Sequence, residues 1–108
     1  MLLVNQVCKG VNEIISPQLM KQLSEQIPDW QRITINEVEQ LHRVFHFSDF
    51  NQAMQFAHQV AELAEQENHH PMLTIEWGKV TIHWWSHSNK NISLYDLICA
   101  AKTDQLLI

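Results

Sequence analysis

Apolar positions recur along this chain with two different periods. Ser16-Pro17 marks a helix start, with Ser16 as N-cap and Pro17 at the first helical position. Leu19, Met20, Leu23 and Ile27 then fall on one helical face, and Pro28 stops the helix. From Trp30 to Ile35 the pattern alternates, with Ile33 and Ile35 on one side, which predicts a strand. Asn36-Glu37 begins a turn. Leu41 to Phe47 reads as a second strand with Leu41, Phe45 and Phe47 on one face, so the two runs form a hairpin.

Ser48 or Asp49 caps the longest helix, and Asp49 with Gln52 has capping-box spacing. Phe50, Ala53, Met54, Ala57, Val60, Ala61 and Ala64 follow the helical rule for an apolar face. Gln52, Gln55, Gln59, Glu62 and Gln66 form the polar face, and Pro71 prevents continuation. Leu73 and Ile75 share a face of a short third strand. Trp77-Gly78 makes a tight turn in which Gly78 is free to take positive φ. Lys79 to Ser86 is a fourth strand, with Val80, Ile82 and Trp84 on one side and Thr81, His83 and Trp85 on the other. After the polar loop Ser88-Asn91, Ser93 caps a last helix whose apolar face is Leu94, Leu97, Ile98 and Ala101. Residues 1–15 show no period and read as irregular.

The order helix, two strands, helix, two strands, helix predicts an α+β fold. Strand pairs joined by short turns give a four-stranded antiparallel sheet, with the helices on one face as a two-layer sandwich. A chain of 108 residues predicts a single domain, 1–108. If helices cover one face, Trp85 on the other needs a partner or substrate against it.

Charge narrows the partners. Twelve acidic side chains against seven basic ones argue against clamping a nucleic-acid backbone. No apolar run reaches the length of a membrane span, and Met1 to Val4 is too short for the apolar core of a signal peptide. The expectation is a cytoplasmic protein, with no nucleic-acid or membrane partner. Cys8 and Cys99 stand far apart, with neither a disulfide framework nor a zinc pattern around them, and read as ordinary thiols.

The chemistry gathers between Ala64 and Asp96. Of seven histidines, His42, His46 and His58 fall on polar faces or sheet edges. His69 and His70 precede a helix-breaking proline, and His87 ends a strand, where scaffolds present functional groups. A metal site fits poorly. Adjacent His69 and His70 diverge in an extended segment, and His83 and His87 lie about 13 Å apart at strand rise. Nucleophilic catalysis fits no better, because there is no G-x-S-x-G and neither cysteine neighbours a histidine. Proton transfer by imidazole near neutral pH suits the set. From the residues alone, that reading and one without catalysis both stay open. So do two roles for Asp96, since Ser93-x-x-Asp96 has capping-box spacing in its own right.

The ordered motifs Pro28-Asp29-Trp30, Phe45-x-Phe47-x-Asp49-Phe50, Ala64-Glu65-x-x-x-His69-His70-Pro71, Glu76 to Thr81, Trp84 to Ser88 and Ser93-x-x-Asp96 resemble the pterin-4a-carbinolamine dehydratases, bacterial type. The resemblance runs from about Ile27 to Thr103 and fades before it. It implies dehydration of 4a-hydroxytetrahydropterin to quinonoid dihydropterin, a hydro-lyase reaction that recycles the pterin of aromatic amino acid hydroxylases. It implies no cofactor and no metal, a homodimer or homotetramer, and a functional link to such a hydroxylase. It places His69 and His87 as acid/base groups, and His70 as substrate-orienting. Glu65, Pro71 and Ser86 line the substrate region, and Asp96 binds the ring or orients a histidine. The alternative it carries is a non-catalytic protein-binding module, like relatives that act as a dimerisation cofactor. Two positions depart from the family. Asn91 stands where Gly is frequent, and Asn tolerates positive φ. His83 stands where Thr or Val is usual.

Overall fold

The two hairpins form and join through their inner strands. In a computed structural model describing residues 1–107, the elements are α1 (Pro17–Ser24), β1 (Gln31–Ile35), β2 (Val38–His46), α2 (Phe50–Glu67), β3 (Met72–Glu76), β4 (Lys79–Trp84) and α3 (Leu94–Gln105). The sheet runs β1-β2-β4-β3 and is antiparallel throughout. Leu41 pairs with Trp84, Arg43 with Ile82, and Phe45 with Val80, so these residues share one face. The helices lie on that face, where Phe56 of α2 meets Phe45 and Thr103 of α3 meets Trp84. This is the α+β architecture that the order of elements predicts.

Local chemistry explains most boundaries. Ser16 Oγ accepts from the Leu19 amide at 3.2 Å, and Asp49 Oδ1 accepts from the Gln52 amide at 2.8 Å, which caps α1 and α2. Asn36 and Glu37 both take positive φ, at 51° and 68°, forming the two-residue turn that matches strand twist. Strand β2 therefore begins at Val38, earlier than its hydrophobic pattern suggests. Gly78 does not take positive φ, contrary to expectation. A Cβ there would stand 3.1 Å from the Phe47 carbonyl, and the Phe47 amide donates to the Gly78 carbonyl at 2.8 Å. Close backbone approach, not conformation, favours the glycine.

The buried stripe of α2 differs from the predicted one. It consists of Ala53, Phe56, Ala57, Val60, Leu63, Ala64 and Glu67. Phe50 and Met54 remain 49% and 41% exposed. The helix is turned so that the bulky Phe56 and Leu63 fill the core instead.

The N-terminal segment is irregular but docked. A 3₁₀ turn at Leu3–Asn5 buries Leu3 fully, and the Leu3 amide donates to Gln26 Oε1 at 2.9 Å. Ile14 bridges to Ser93 at the start of α3. Cys8 and Cys99 are free thiols whose sulfurs stand 3.6 Å apart, although their sequence positions gave no sign of it. The Cys8 amide also donates to Glu67 Oε1 at 2.8 Å, while Lys102 Nζ lies 2.9 Å from Glu67 Oε2.

Burial by itself raises the Glu67 pKa. The Cys8 amide and the Lys102 ammonium together outweigh that and hold it below the ordinary 4.5. A folded pKa below the unfolded one gives stability that is present above pH 4.5 and lost as pH falls through the folded value. Glu67→Gln is therefore expected to lower the melting temperature at pH 7. The gap between wild type and variant should close as pH drops below 4.5 in paired thermal melts. A gap that stays constant with pH would mean Glu67 acts through packing alone.

Candidate active site

The site begins where α2 ends. Asn68 takes the left-handed conformation, φ 50° and ψ 43°. The His69 amide then donates to the Ala64 carbonyl at 3.1 Å and the Asn68 amide to the Glu65 carbonyl at 3.3 Å, a Schellman termination. Pro71 blocks any further helix and sends the chain into β3. This tight reversal aims the two adjacent imidazoles differently.

His69 turns inward. Its ring stacks on Trp84, with centroids 5.7 Å apart and planes within 8°, and meets Tyr95 edge-on at 5.8 Å. Its Nε2 stands 2.5 Å from Asp96 Oδ1. Asp96 is fully buried in the first turn of α3. Its Oδ2 accepts from Ser86 Oγ at 2.8 Å and from the Ser93 amide at 2.8 Å. One carboxylate thus receives three donors. The capping geometry and the contact to a histidine, posed by the sequence as alternatives, coexist on its two oxygens. The imidazole nitrogen that faces the carboxylate carries the proton, which leaves Nδ1 of His69 as the basic nitrogen.

His70 points outward, and its Nε2 lies 2.5 Å from Oε2 of the exposed Glu65. His87 follows β4 and is exposed, its ring tilted against Trp85 with centroids 4.7 Å apart. The loop beyond it closes through the Ser86 amide, which donates to the Asn91 carbonyl at 2.9 Å. Here Lys90, rather than Asn91, takes positive φ, at 52°. The Asn91 side chain instead accepts from the Ile92 amide at 2.8 Å.

These elements enclose a cavity of about 310 Å³, lined by His69, His70, His87, Trp85, Ser86 and Asn12 among others. Of the residues singled out from sequence, the three histidines and Ser86 line it directly. Asp96 stands behind the wall, reached through His69 and Ser86. Glu65 reaches the site through His70, and Pro71 shapes the turn without lining the cavity. Trp85 belongs to this cavity wall, which accounts for an aromatic side chain on the face away from the helices. Asn12 and Tyr95 were not visible in the sequence as site residues. Asn12 lies in a stretch with no period, and Tyr95 reads as an ordinary first-turn residue.

His83 takes no part in the cavity. It is buried on the sheet face away from the helices, bonded through Nδ1 to Gln40 Oε1 at 2.9 Å, with the His42 ring 4.9 Å away. Burial first, and then the neighbouring His42, pushes its pKa below the ordinary imidazole value. His42 Nδ1 is itself buried and has no hydrogen-bond partner among the described residues.

A cavity with a carboxylate-held imidazole, two further imidazoles and an aromatic wall suits proton transfer on a flat polar ring. Comparison with known proteins identifies the family. A family model described as pterin 4 alpha carbinolamine dehydratase matches residues 13–106. A Vibrio vulnificus (strain YJ016) protein assigned by name as a pterin-4-alpha-carbinolamine dehydratase is 47% identical over 93 residues, covering 86% of this chain and 84% of the relative. A Syntrophotalea carbinolica protein of the same assigned name is 41% identical over 102 residues, covering 94% of this chain and 91% of its own. The crystal structure of a transcriptional coactivator/pterin dehydratase from Brucella melitensis superposes with a TM-score of 0.75 at 26% identity, covering 85% of this chain and 96% of that one. With a model match that takes in the helix end, the strand end and the first turn of α3 that build the cavity, this chain belongs to the pterin 4 alpha carbinolamine dehydratase family.

Proposed function

We propose that this protein dehydrates a 4a-hydroxytetrahydropterin to the quinonoid dihydropterin and water. The observation that carries the reading is the 2.5 Å contact between His69 Nε2 and the buried Asp96 carboxylate, in the wall of a cavity that His87 also lines. The net change is loss of the N5 proton and the C4a hydroxyl, with a C4a=N5 double bond formed. His69 accepts the N5 proton at Nδ1, and Asp96 stabilises the imidazolium that results. His87 gives a proton to the departing hydroxyl, which leaves as water. Its exposure lets solvent restore that proton. Return of the His69 proton to solvent completes the cycle. Trp85 offers a flat face to the pterin ring, and the Glu65-His70 pair holds a second imidazole where it can orient the substrate.

Self-association belongs to the same reading. Phe50 and Met54 on α2 stay exposed in the single chain, and a second copy of this chain would cover them. Light scattering at micromolar concentration is expected to give a dimer or tetramer mass. A monomer mass would count against it.

His69→Ala and His87→Ala are each expected to lower kcat by roughly 10²-fold or more. His58→Ala, exposed on α2 and 3.5 Å from Glu62, should leave turnover near normal. The check is absorbance-monitored dehydration of freshly made 4a-carbinolamine. Equal losses in all three variants would point to a folding defect and remove the assignment.

Asp96→Asn keeps the volume and the capping oxygen but loses the charge that supports an imidazolium. Its kcat is expected to fall by roughly 10²-fold, at temperatures where circular dichroism shows the variant folded. Normal turnover in a folded Asp96→Asn protein would reduce Asp96 to a helix cap.

A further inference from the structure

We infer that Asn12 is a positioning residue of this site, acting through Ser86 and Asp96 on His69. Its Nδ2 donates to Ser86 Oγ at 2.7 Å, Ser86 Oγ donates to Asp96 Oδ2 at 2.8 Å, and Asp96 Oδ1 holds His69 Nε2 at 2.5 Å. Each link constrains the next. A serine hydroxyl has one proton, so an outside donor on its oxygen leaves that proton for the carboxylate. Asn12 therefore commits Ser86 to Asp96, and the committed carboxylate holds the ring of His69.

Asn12 is itself fixed from both sides. Its Oδ1 accepts from the Tyr95 amide at 3.0 Å, one of the first-turn amides of α3 that has no partner within the helix. On its flanks the Leu94 amide donates to the Glu13 carbonyl at 3.0 Å, and the Tyr95 hydroxyl donates to the Gly10 carbonyl. The Cys8 amide, anchored on Glu67, ties down the segment further upstream. The strap from Cys8 to Asn12 thus crosses the start of α3 and delivers one amide to the cavity wall. The family model itself begins one residue later, at 13.

A purely structural role for Asn12 would be the bond to the Tyr95 amide, and one substitution separates the two roles. Asn12→Asp retains Oδ1 for that amide but replaces the donor to Ser86 with a second acceptor. The Ser86 proton then has two carboxylates to choose from, and the hold on Asp96 weakens.

The test combines Asn12→Asp, Ser86→Ala and the double variant, each checked for folding by its melting temperature. Asn12→Asp is expected to lower kcat about tenfold and leave KM within about twofold, because the residue acts on a catalytic group. The double variant should be no worse than Ser86→Ala alone, since both act through one hydroxyl. Independent losses that multiply, a wild-type kcat in folded Asn12→Asp, or an effect confined to KM would overturn the inference. The kinetic arm rests on the dehydratase reading, so a second arm does not use turnover. Imidazole ¹⁵N shifts should show His69 protonated at Nε2 in wild type, and a mixture of tautomers in Asn12→Asp. An unchanged His69 signature in the folded variant overturns the positioning role even if the wild type proves inactive on pterins. A changed signature in a protein without dehydratase activity supports the positioning role and rejects the dehydratase reading instead.

Discussion

The Asp96 carboxylate is the constraint on which the rest of the site depends. It has no solvent exposure, and an ionised carboxylate in that position is costly by several kcal/mol unless hydrogen-bond donors replace water around it. The fold supplies donors from three places: the turn after α2, the end of β4 and the residue before α3. The same turn also packs on the other two segments, since His69 stacks on Trp84 and meets Tyr95 edge-on. The loop between β4 and α3 is closed by the Ser86–Asn91 bridge so that Ser86 and Ser93 can reach one side chain. The left-handed Asn68 reverses the chain so that His69 can reach its other oxygen.

A second buried carboxylate repeats the principle on the far side of α3. Glu67 is buried at the end of α2 and is met by the Cys8 amide and the Lys102 ammonium. The two acids bracket the strap that carries Asn12, one anchoring its start and the other receiving its effect through Ser86. Lys102 and Asp96 lie on the same helix, so α3 takes part in both clusters. This explains why α3 is buried on nearly all sides, with Asp96, Leu97, Ile98, Cys99, Ala100, Ala101 and Thr103 inaccessible. The sheet covers one side of it and the N-terminal segment another.

Much of this was legible in the sequence where a single local rule decides. Ser16-Pro17, Asp49 with Gln52, and Pro71 set helix ends by capping chemistry or by the missing proline donor, and those ends stand where expected. The face of α2 was less legible because alanines dilute the signal. Phe50 and Met54 complete one plausible stripe, Phe56 and Leu63 another, and only the sheet decides which is buried. The histidine turn, His87 and Asp96 could be singled out as chemistry, and the structure brings them to one place. Its inner arrangement was not legible, since Asn12 and Ser86 meet across 74 residues with no periodicity on the Asn12 side. The Cys8–Cys99 contact was hidden for the same reason. Cross-strand register was equally silent, and it sets His42 opposite His83 on a face where the pattern marks neither as special.

The energetic arrangement argues for chemistry over simple recognition. Well-packed apolar groups in place of a buried charge and its partners are often neutral or stabilising. A chain that used this fold only as a docking surface would still draw a helix cap from Asp96, through the Ser93 amide. It would have no need of an imidazole aligned against that charge at 2.5 Å. The proposed catalysis gives the arrangement a use, because the carboxylate matters most when the ring beside it gains a proton. The cavity side shows the complementary feature. His87 is exposed beside an aromatic face, which suits the proton exchange with water that the proposed mechanism gives it. One imidazole is held against a buried charge and the other lies exposed, an asymmetry that suits the separate acceptance and delivery of a proton proposed above.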